Sequence, residues 1–378
     1  MFPTREQELL LRAALLQGEA ALQAWQDWKT QVNLEQELDM GSYRLMPLLY
    51  RNLRTLGVDD PLMGKLRGIY GREWYKNQML FRAMAEVLRL FHAAGIETII
   101  LKGAALTLLY YQDHGLRPMS DFDVLVPTGK RGAAIDVLTQ AGWNPILYPL
   151  GKLPDAVLDV RHAWGFENAH RRQFDLHWHV LHWCLYPNAD DDFWAGAIPL
   201  QIANVPTRAL NHTDQLLHIC VHGAGWNPVP PLRWVADAMM ILHESHSEIE
   251  WSHLISQAEQ RRLILPLSHA FTYLRDSFGA AIPCQVLTEM NKVRVSNAER
   301  KWYNSVTAGP TRLGHLPSDW YRHLFDLEVT GETSWVRKLA SFPRYLQRVK
   351  GKENLWQLLI WAISRAVVRI GDAVRGHA

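Results

Sequence analysis

The chain changes its hydrophobic period abruptly at Gly95, and that switch limits what it can fold into. Before it, apolar residues keep helical spacing: Met84, Val87, Leu88 and Phe91 fall at i, i+3, i+4 and i+7, one buried helix face. Gly95 stands where a left-handed residue ends a helix. Ile96 to Leu101 then form a short apolar run rich in β-branched residues, the pattern of a buried strand. A Gly-Ala-Ala helix from Gly103 to about Tyr111 comes next, followed by a loop with Gly115 and Pro118. Residues 121–126, DFDVLV, read as a second strand closed by Pro127. A helix over 128–141 ends at Gly142, and strands are expected at 144–148, 163–168 and 172–180.

From about residue 211 the helical period returns. Helices are predicted at 213–222, 231–244, 250–260, 264–277, 283–294, 335–349 and 353–375. Residues 305–331 are rich in Gly, Pro, Thr and Ser and read as a linker or lid. Three regions follow: 1–95 helical, 96–210 a small α/β core, and 211–378 helical with a basic amphipathic tail. The expected class is α+β, a small mixed β-sheet flanked by N-terminal and C-terminal helices. Chemistry belongs at the strand ends of the island.

Composition agrees with a folded, cored protein: 48% of the 378 residues are hydrophobic and 21% charged, which excludes a disordered or collagen-like chain. A net charge of +2 excludes a strongly basic nucleic-acid coat. That near-neutrality hides a split. Residues 331–378 carry nine Lys/Arg against three Asp/Glu, a net +6 that leaves −4 for the rest. Cys184, Cys220 and Cys284 are scattered, with no disulfide framework or Cys-x-x-Cys pair. The N-terminus reads as an amphipathic helix, not a signal peptide. Leu355 to Ile363 is interrupted by Gln357, far short of the roughly 20 apolar residues of a membrane span. The expectation is a soluble, cytoplasmic protein. The 16 Trp residues are spread along the chain and suit packing, with Trp178 and Trp183 flanking the richest polar stretch.

On a strand, Asp121 and Asp123 share a face while Phe122 and Val124 point into the core. Two acids so close repel unless a cation sits between them, and an oxygen-only set suits Mg²⁺ or Mn²⁺. Upstream, Leu101-Lys102-Gly103-Ala104 runs from strand through glycine into helix, offering free N–H groups and one ammonium to phosphate oxygens. Downstream, strict alternation in FDLHWH puts Asp175, His177 and His179 on one face. A third carboxylate at Asp175 completes a two-cation site, one cation holding a triphosphate and one activating a hydroxyl.

Other groupings are weaker. His177, His179 and His182 lack a closed four-ligand zinc set. His218 and His222 lie at i, i+4 on a helix, but the glutamate of a metalloprotease motif is missing, so they read as structural. Arg233 and Asp237, one helical turn apart, suit an ion pair.

The stretches LKGAAL (101–106), GLRPMSDFDVLVP (115–127), FDLHWHVL (174–181), DQLLHICVHG (214–223) and LRWVADAMMIL (232–242) resemble the nucleotidyltransferase superfamily of the polymerase-beta type. Within it they are most similar to a bacterial group known only as uncharacterised nucleotidyltransferases. The resemblance spans roughly residues 80–250. It implies a mixed sheet with helices, metal carboxylates at Asp121, Asp123 and Asp175, and phosphate contacts around Gly103. Two departures stand out. Ala104 replaces the superfamily's serine, and 17 residues separate Gly103 from Asp121 where the superfamily favours a short gap.

The expected function is Mg²⁺- or Mn²⁺-dependent transfer of a nucleoside monophosphate from an NTP, ATP first, to a hydroxyl or phosphate acceptor. That acceptor is a peptide, a protein or a small molecule. Asp121, Asp123 and Asp175 would be catalytic and hold metal. Lys102, Gly103, Ala104, Arg117 and Ser120 would bind the nucleotide, and His177, Arg233 and Asp237 would support the site or meet the acceptor. Two alternatives are a nucleotide-sugar glycosyltransferase, whose Asp-x-Asp also grips a nucleotide diphosphate, and a binding protein on a degenerate fold. The basic C-terminal helix reads as closing its domain, with an anionic partner or membrane surface as the other use.

Overall fold

The structure is a computed structural model of the chain. It describes residues 3–32, 38–146, 158–223, 232–309, 311, 314–329, 331, 334–352 and 354–375, with backbone alone at 329 and 366–375. The chain divides into two compact units: Met1–Gly151 with His162–Val295, and Lys152–Arg161 with Ser296–Ala378.

The first unit opens with helices α1 (Arg5–Leu15), α2 (Gly18–Gln31), α3 (Met40–Tyr43), α4 (Met46–Thr55) and α5 (Met63–Ala93). Thr4 starts α1 with a capping box, its hydroxyl accepting from the Gln7 amide while Gln7 reaches back to the Thr4 N–H. At the end of α5, Gly95 takes φ 65°, and the Ile96 N–H returns to the Phe91 carbonyl. That is the left-handed cap predicted from the change of period, and it turns the chain into the sheet.

The sheet has seven strands: β1 (Ile99–Leu101), β2 (Asp123–Leu125), β3 (Trp143–Pro145), β4 (Ala163–Asn168), β5 (Gln173–His177), β6 (Ile198–Ile202) and β7 (Val205–Ala209). Their order is β3-β4-β5-β2-β1-β7-β6, mixed in direction. Between them lie α6 (Lys102–Leu106), which runs into a π-helical turn at Thr107–Tyr111, and the helices α7 (Arg131–Gln140) and α8 (Asp191–Ala195). One face of the sheet is apolar: Phe122, Val124, Phe174, Leu176 and Trp178 are fully buried, and Phe122 stacks on Phe174 at 5.0 Å. Such a ring pair adds about 1 kcal/mol beyond burial. The unit ends with α9 (His212–Gly223), α10 (Arg233–Glu244), α11 (Trp251–Gln260), α12 (Ile264–Phe278) and α13 (Cys284–Lys292). An α+β class with helices about a mixed sheet is what the alternating pattern predicted.

The second unit carries α14 (Asn297–Thr307), α15 (Leu316–Val329), α16 (Trp335–Val349) and α17 (Leu355–Arg375). Residues 305–331 are therefore not a linker. Gly and Pro punctuate the turn, but Trp320, His323 and Phe325 behind them give α15 a ring-rich packing face. The expected strand at 144–148 begins at Trp143; positions 147 and 148 lie outside the described residues. The hairpin β6–β7 was not foreseen because Pro199 and Pro206 interrupt its pattern. Pro199 is tolerated on the edge strand, and Ala203 and Asn204 turn with φ 45° and 65°. No helix among the described residues is long and apolar enough to cross a membrane.

Candidate functional site

Three adjacent strands lay out the site by register. Leu101 pairs with Asp123 across β1–β2, and Asp123 pairs with Asp175 across β2–β5. The Asp175 N–H donates to the Phe122 carbonyl at 2.9 Å, fixing that alignment. His177, two residues further along β5, returns to the same face. Ligand atoms of Asp123, Asp175 and His177 all lie within 4.8 Å of one another.

Asp123 is the centre of this cluster. Lys102 Nζ donates to its Oδ1 at 2.8 Å, and His177 Nε2 meets the same oxygen at 3.0 Å. An ionised carboxylate only accepts, so Nε2 carries the proton in this contact. Lys102 reaches the acid from a left-handed backbone, φ 47°, an unfavourable conformation for a residue with a side chain. Burial works to raise the Asp123 pKa, but Lys102 and His177 outweigh it and hold the carboxyl far below its ordinary value. Asp175 moves the opposite way, raised by burial and then by the Asp123 charge. Two acids, with an imidazole that can join them once Nε2 gives up its proton, form a donor set that suits a divalent cation. A cation would relieve the repulsion between the two acids.

The loop carrying Asp121 is clamped from two sides. On α5, Asn77 Nδ2 donates to the His114 and Arg117 carbonyls at 2.6 and 2.9 Å, and the Tyr70 hydroxyl bonds Asp113. A side chain at Gly115 would meet the Tyr70 ring at 2.4 Å, so only glycine fits there. On α10, Asp237 accepts two bonds from Arg117, each 2.8 Å, and a third from the Tyr111 hydroxyl. Arg233 Nη1 donates to the Pro118 carbonyl at 2.8 Å. The predicted Arg233–Asp237 pair is thus replaced: Arg117 supplies a fork that matches the carboxylate, and Arg233 is taken up by the Pro118 carbonyl. Arg117 was expected at the phosphates but is buried in this pair instead.

The remaining candidates fall into place around the cluster. Asp121 and Ser120 are exposed and joined by a 3.2 Å bond, just ahead of β2, whose first residue is Asp123. Gly103 is buried beneath Arg117 Nη1 and Met119 Sδ, and Ala104 is fully buried in α6. His179 leaves the shared face and bonds Asp190 at 2.6 Å, which argues against a zinc set with His177. His218 went unrecognised as a neighbour of the site. It is fully buried, neither ring nitrogen has a partner among the described residues, and burial and the Lys102 charge push its pKa well down. The i, i+4 spacing with His222 was the only available signal.

Several solved structures are faintly similar, among them the following two. The antibiotic-resistance factor ANT(2'')-Ia is 12% identical, over 52% of this chain and 99% of that one, at a TM-score of 0.35. An antigenic nucleotidyltransferase-like protein from Paracoccidioides brasiliensis is 14% identical, over 58% of this chain and 94% of its own, at 0.34. Scores this low carry no inference. No curated protein matches the chain. One family model, described as "Uncharacterised nucleotidyltransferase", matches residues 41–279, which is more than half of the chain and contains the whole site. The chain belongs to this family of uncharacterised nucleotidyltransferases.

Proposed function

We propose that the protein transfers a nucleoside monophosphate from an NTP, with a divalent cation, to a hydroxyl or phosphate acceptor on a peptide, protein or small molecule. The observation that carries this reading is the cluster of Asp123, Asp175 and His177 on adjoining strands, with Lys102 at its edge. In the reaction, the acceptor oxygen bonds to the α-phosphorus, the α–β anhydride bond breaks, and pyrophosphate leaves. Magnesium or manganese at the cluster would neutralise phosphate charge and ease loss of the acceptor proton.

The chain's own residues have distinct parts. Asp123 and Asp175, joined by Asp121 from the loop, provide the carboxylates. His177 orients Asp123 through their shared contact. Lys102 supplies positive charge to the phosphate tail, with the exposed Ser120 hydroxyl to assist it, while the buried Gly103 and Ala104 set the turn that carries Lys102. Positioning and charge stabilisation account for the catalysis, as in phosphoryl transfer generally. Arg233 and Asp237 hold the loop in place.

The test is incubation of the protein with each labelled NTP, Mg²⁺ or Mn²⁺, and candidate acceptors. Pyrophosphate release and label transfer are expected, and both should fall by at least about a hundredfold in Asp123→Ala and Asp175→Ala. Wild-type transfer by either variant would refute the assignment. NTP binding without turnover would favour a degenerate binding protein.

A further inference from the structure

The second unit ends in a helix whose apolar side faces the wrong way for a domain that merely closes on itself. In α17, Leu358 is buried and Trp361 is partly covered, with Lys350 5.8 Å above its ring. At 100° per residue, Trp356, Leu359, Ile360 and Ile363 lie on the opposite side. They are 74%, 48%, 65% and 55% exposed. The preceding helix adds to it. In α16, Phe342 packs in the aromatic cluster of its own unit, while Val336 and Leu339, the latter one heptad ahead of the buried Leu346 on the same side, are 77% and 61% exposed. Contiguous exposed apolar stripes of this kind mark a surface that meets something.

The charge beside the stripes selects the partner. From Ser334 to Lys352 the chain carries Arg337, Lys338, Arg344, Arg348, Lys350 and Lys352, and no acid at all. Arg337, Arg344 and Arg348 are exposed and recur at i, i+7 and i+11, a strip set to one side of Val336, Leu339 and Pro343. Apolar residues with an exposed tryptophan, flanked by cations, make an interfacial helix; a water-facing helix would carry polar residues in those places. Arg365 breaks the apolar run of α17, so the helix suits lying in a headgroup layer and not crossing one.

We propose that α16 and α17 form a peripheral docking surface for anionic lipid. Trp356, Leu359, Ile360 and Ile363 enter the headgroup boundary, and Arg337, Arg344 and Arg348 meet lipid phosphates. This inference stands apart from the nucleotidyl-transfer reading, because every residue in it lies outside residues 41–279.

The experiment is co-sedimentation of the full chain with vesicles of phosphatidylcholine alone or phosphatidylcholine with phosphatidylglycerol, at low and high salt. Binding to the anionic vesicles only, weakened by salt, is expected. Arg344→Glu/Arg348→Glu should cut the partition coefficient by tenfold or more, at roughly 1 kcal/mol per cation near the surface. Leu359→Glu/Ile363→Glu should do the same through the apolar stripe. These side chains are exposed, so unchanged circular dichroism and NTP binding would show that each variant is folded. Equal sedimentation with both vesicles, or with neither, overturns the proposal. So does a stable dimer in light scattering that Leu359→Glu/Ile363→Glu disperses, since the face would then belong to a second copy.

Discussion

At Gly103 one methyl group decides whether the site holds together. Its sequence position, between a strand and a helix, suggested a close approach to phosphate. The packing gives the glycine a second duty, since a Cβ there would meet Arg117 Nη1 and Met119 Sδ at 2.8 Å each. Met119 can swing aside, but Arg117 is fixed by its two bonds to Asp237. Gly103→Ala is therefore expected to cost about 1–3 kcal/mol of stability, read from the denaturant midpoint at unchanged slope. Transfer activity should fall with it, because displacing Arg117 disturbs the loop that carries Asp121. Full stability in this variant would mean that the loop is less tightly packed than its contacts imply. Asp123 and Asp175 were legible in the sequence because alternation fixes which way a strand residue points. Lys102's part was only half legible. A basic residue before glycine is visible, but the left-handed turn that aims it at Asp123 is not.

Among the elements, periodicity gave existence reliably and partners hardly at all. The stripe Met84, Val87, Leu88 and Phe91 announced α5, and all four are buried as expected. The error at 305–331 arose because turn residues at the start of that stretch outweighed the aromatic spacing behind them. The Arg117–Asp237 pair shows the deeper limit. Its partners are 120 residues apart, so local spacing pointed instead to Arg233, one turn away on the same helix. Both members of the pair are almost wholly buried, at 7% and 3% side-chain exposure. Removing one partner leaves the other charged and unpaired, so Asp237→Ala is expected to cost about 3–5 kcal/mol in chemical denaturation. Arg117→Met/Asp237→Leu should recover most of that loss, since apolar groups of similar size leave no stranded charge. If the double variant is as unstable as the single one, the pair contributes through geometry that apolar packing cannot supply.

For the whole molecule, charge is distributed and not uniform: the C-terminal tail holds +6 of a total of +2, and Asp123 at the site is answered by Lys102 and His177. Stability against pH exposes one charge with no such answer. Asp214, in the first turn of α9, is fully buried; its Oδ2 accepts from Asn211 at 2.8 Å, while Oδ1 has, among the described residues, only His253 at 3.8 Å. Burial pushes its pKa up, from an ordinary 3.8 to about 6. A folded state with the higher pKa binds the proton more tightly than the unfolded chain does. The stability due to the protonated acid is thus fully present below pH 4 and is lost as pH rises through about 6. At neutral pH the buried, ionised carboxylate costs up to about 3 kcal/mol. Asp214→Asn keeps the shape and the bond from Asn211 but cannot ionise. Its stability advantage over the wild type should be near zero at pH 4, grow between pH 4 and 6, and then level off. Urea denaturation of both proteins across that range measures the difference directly. A constant difference at every pH would show that Asp214 is solvated in the folded protein, and that the buried end of α9 is open to water.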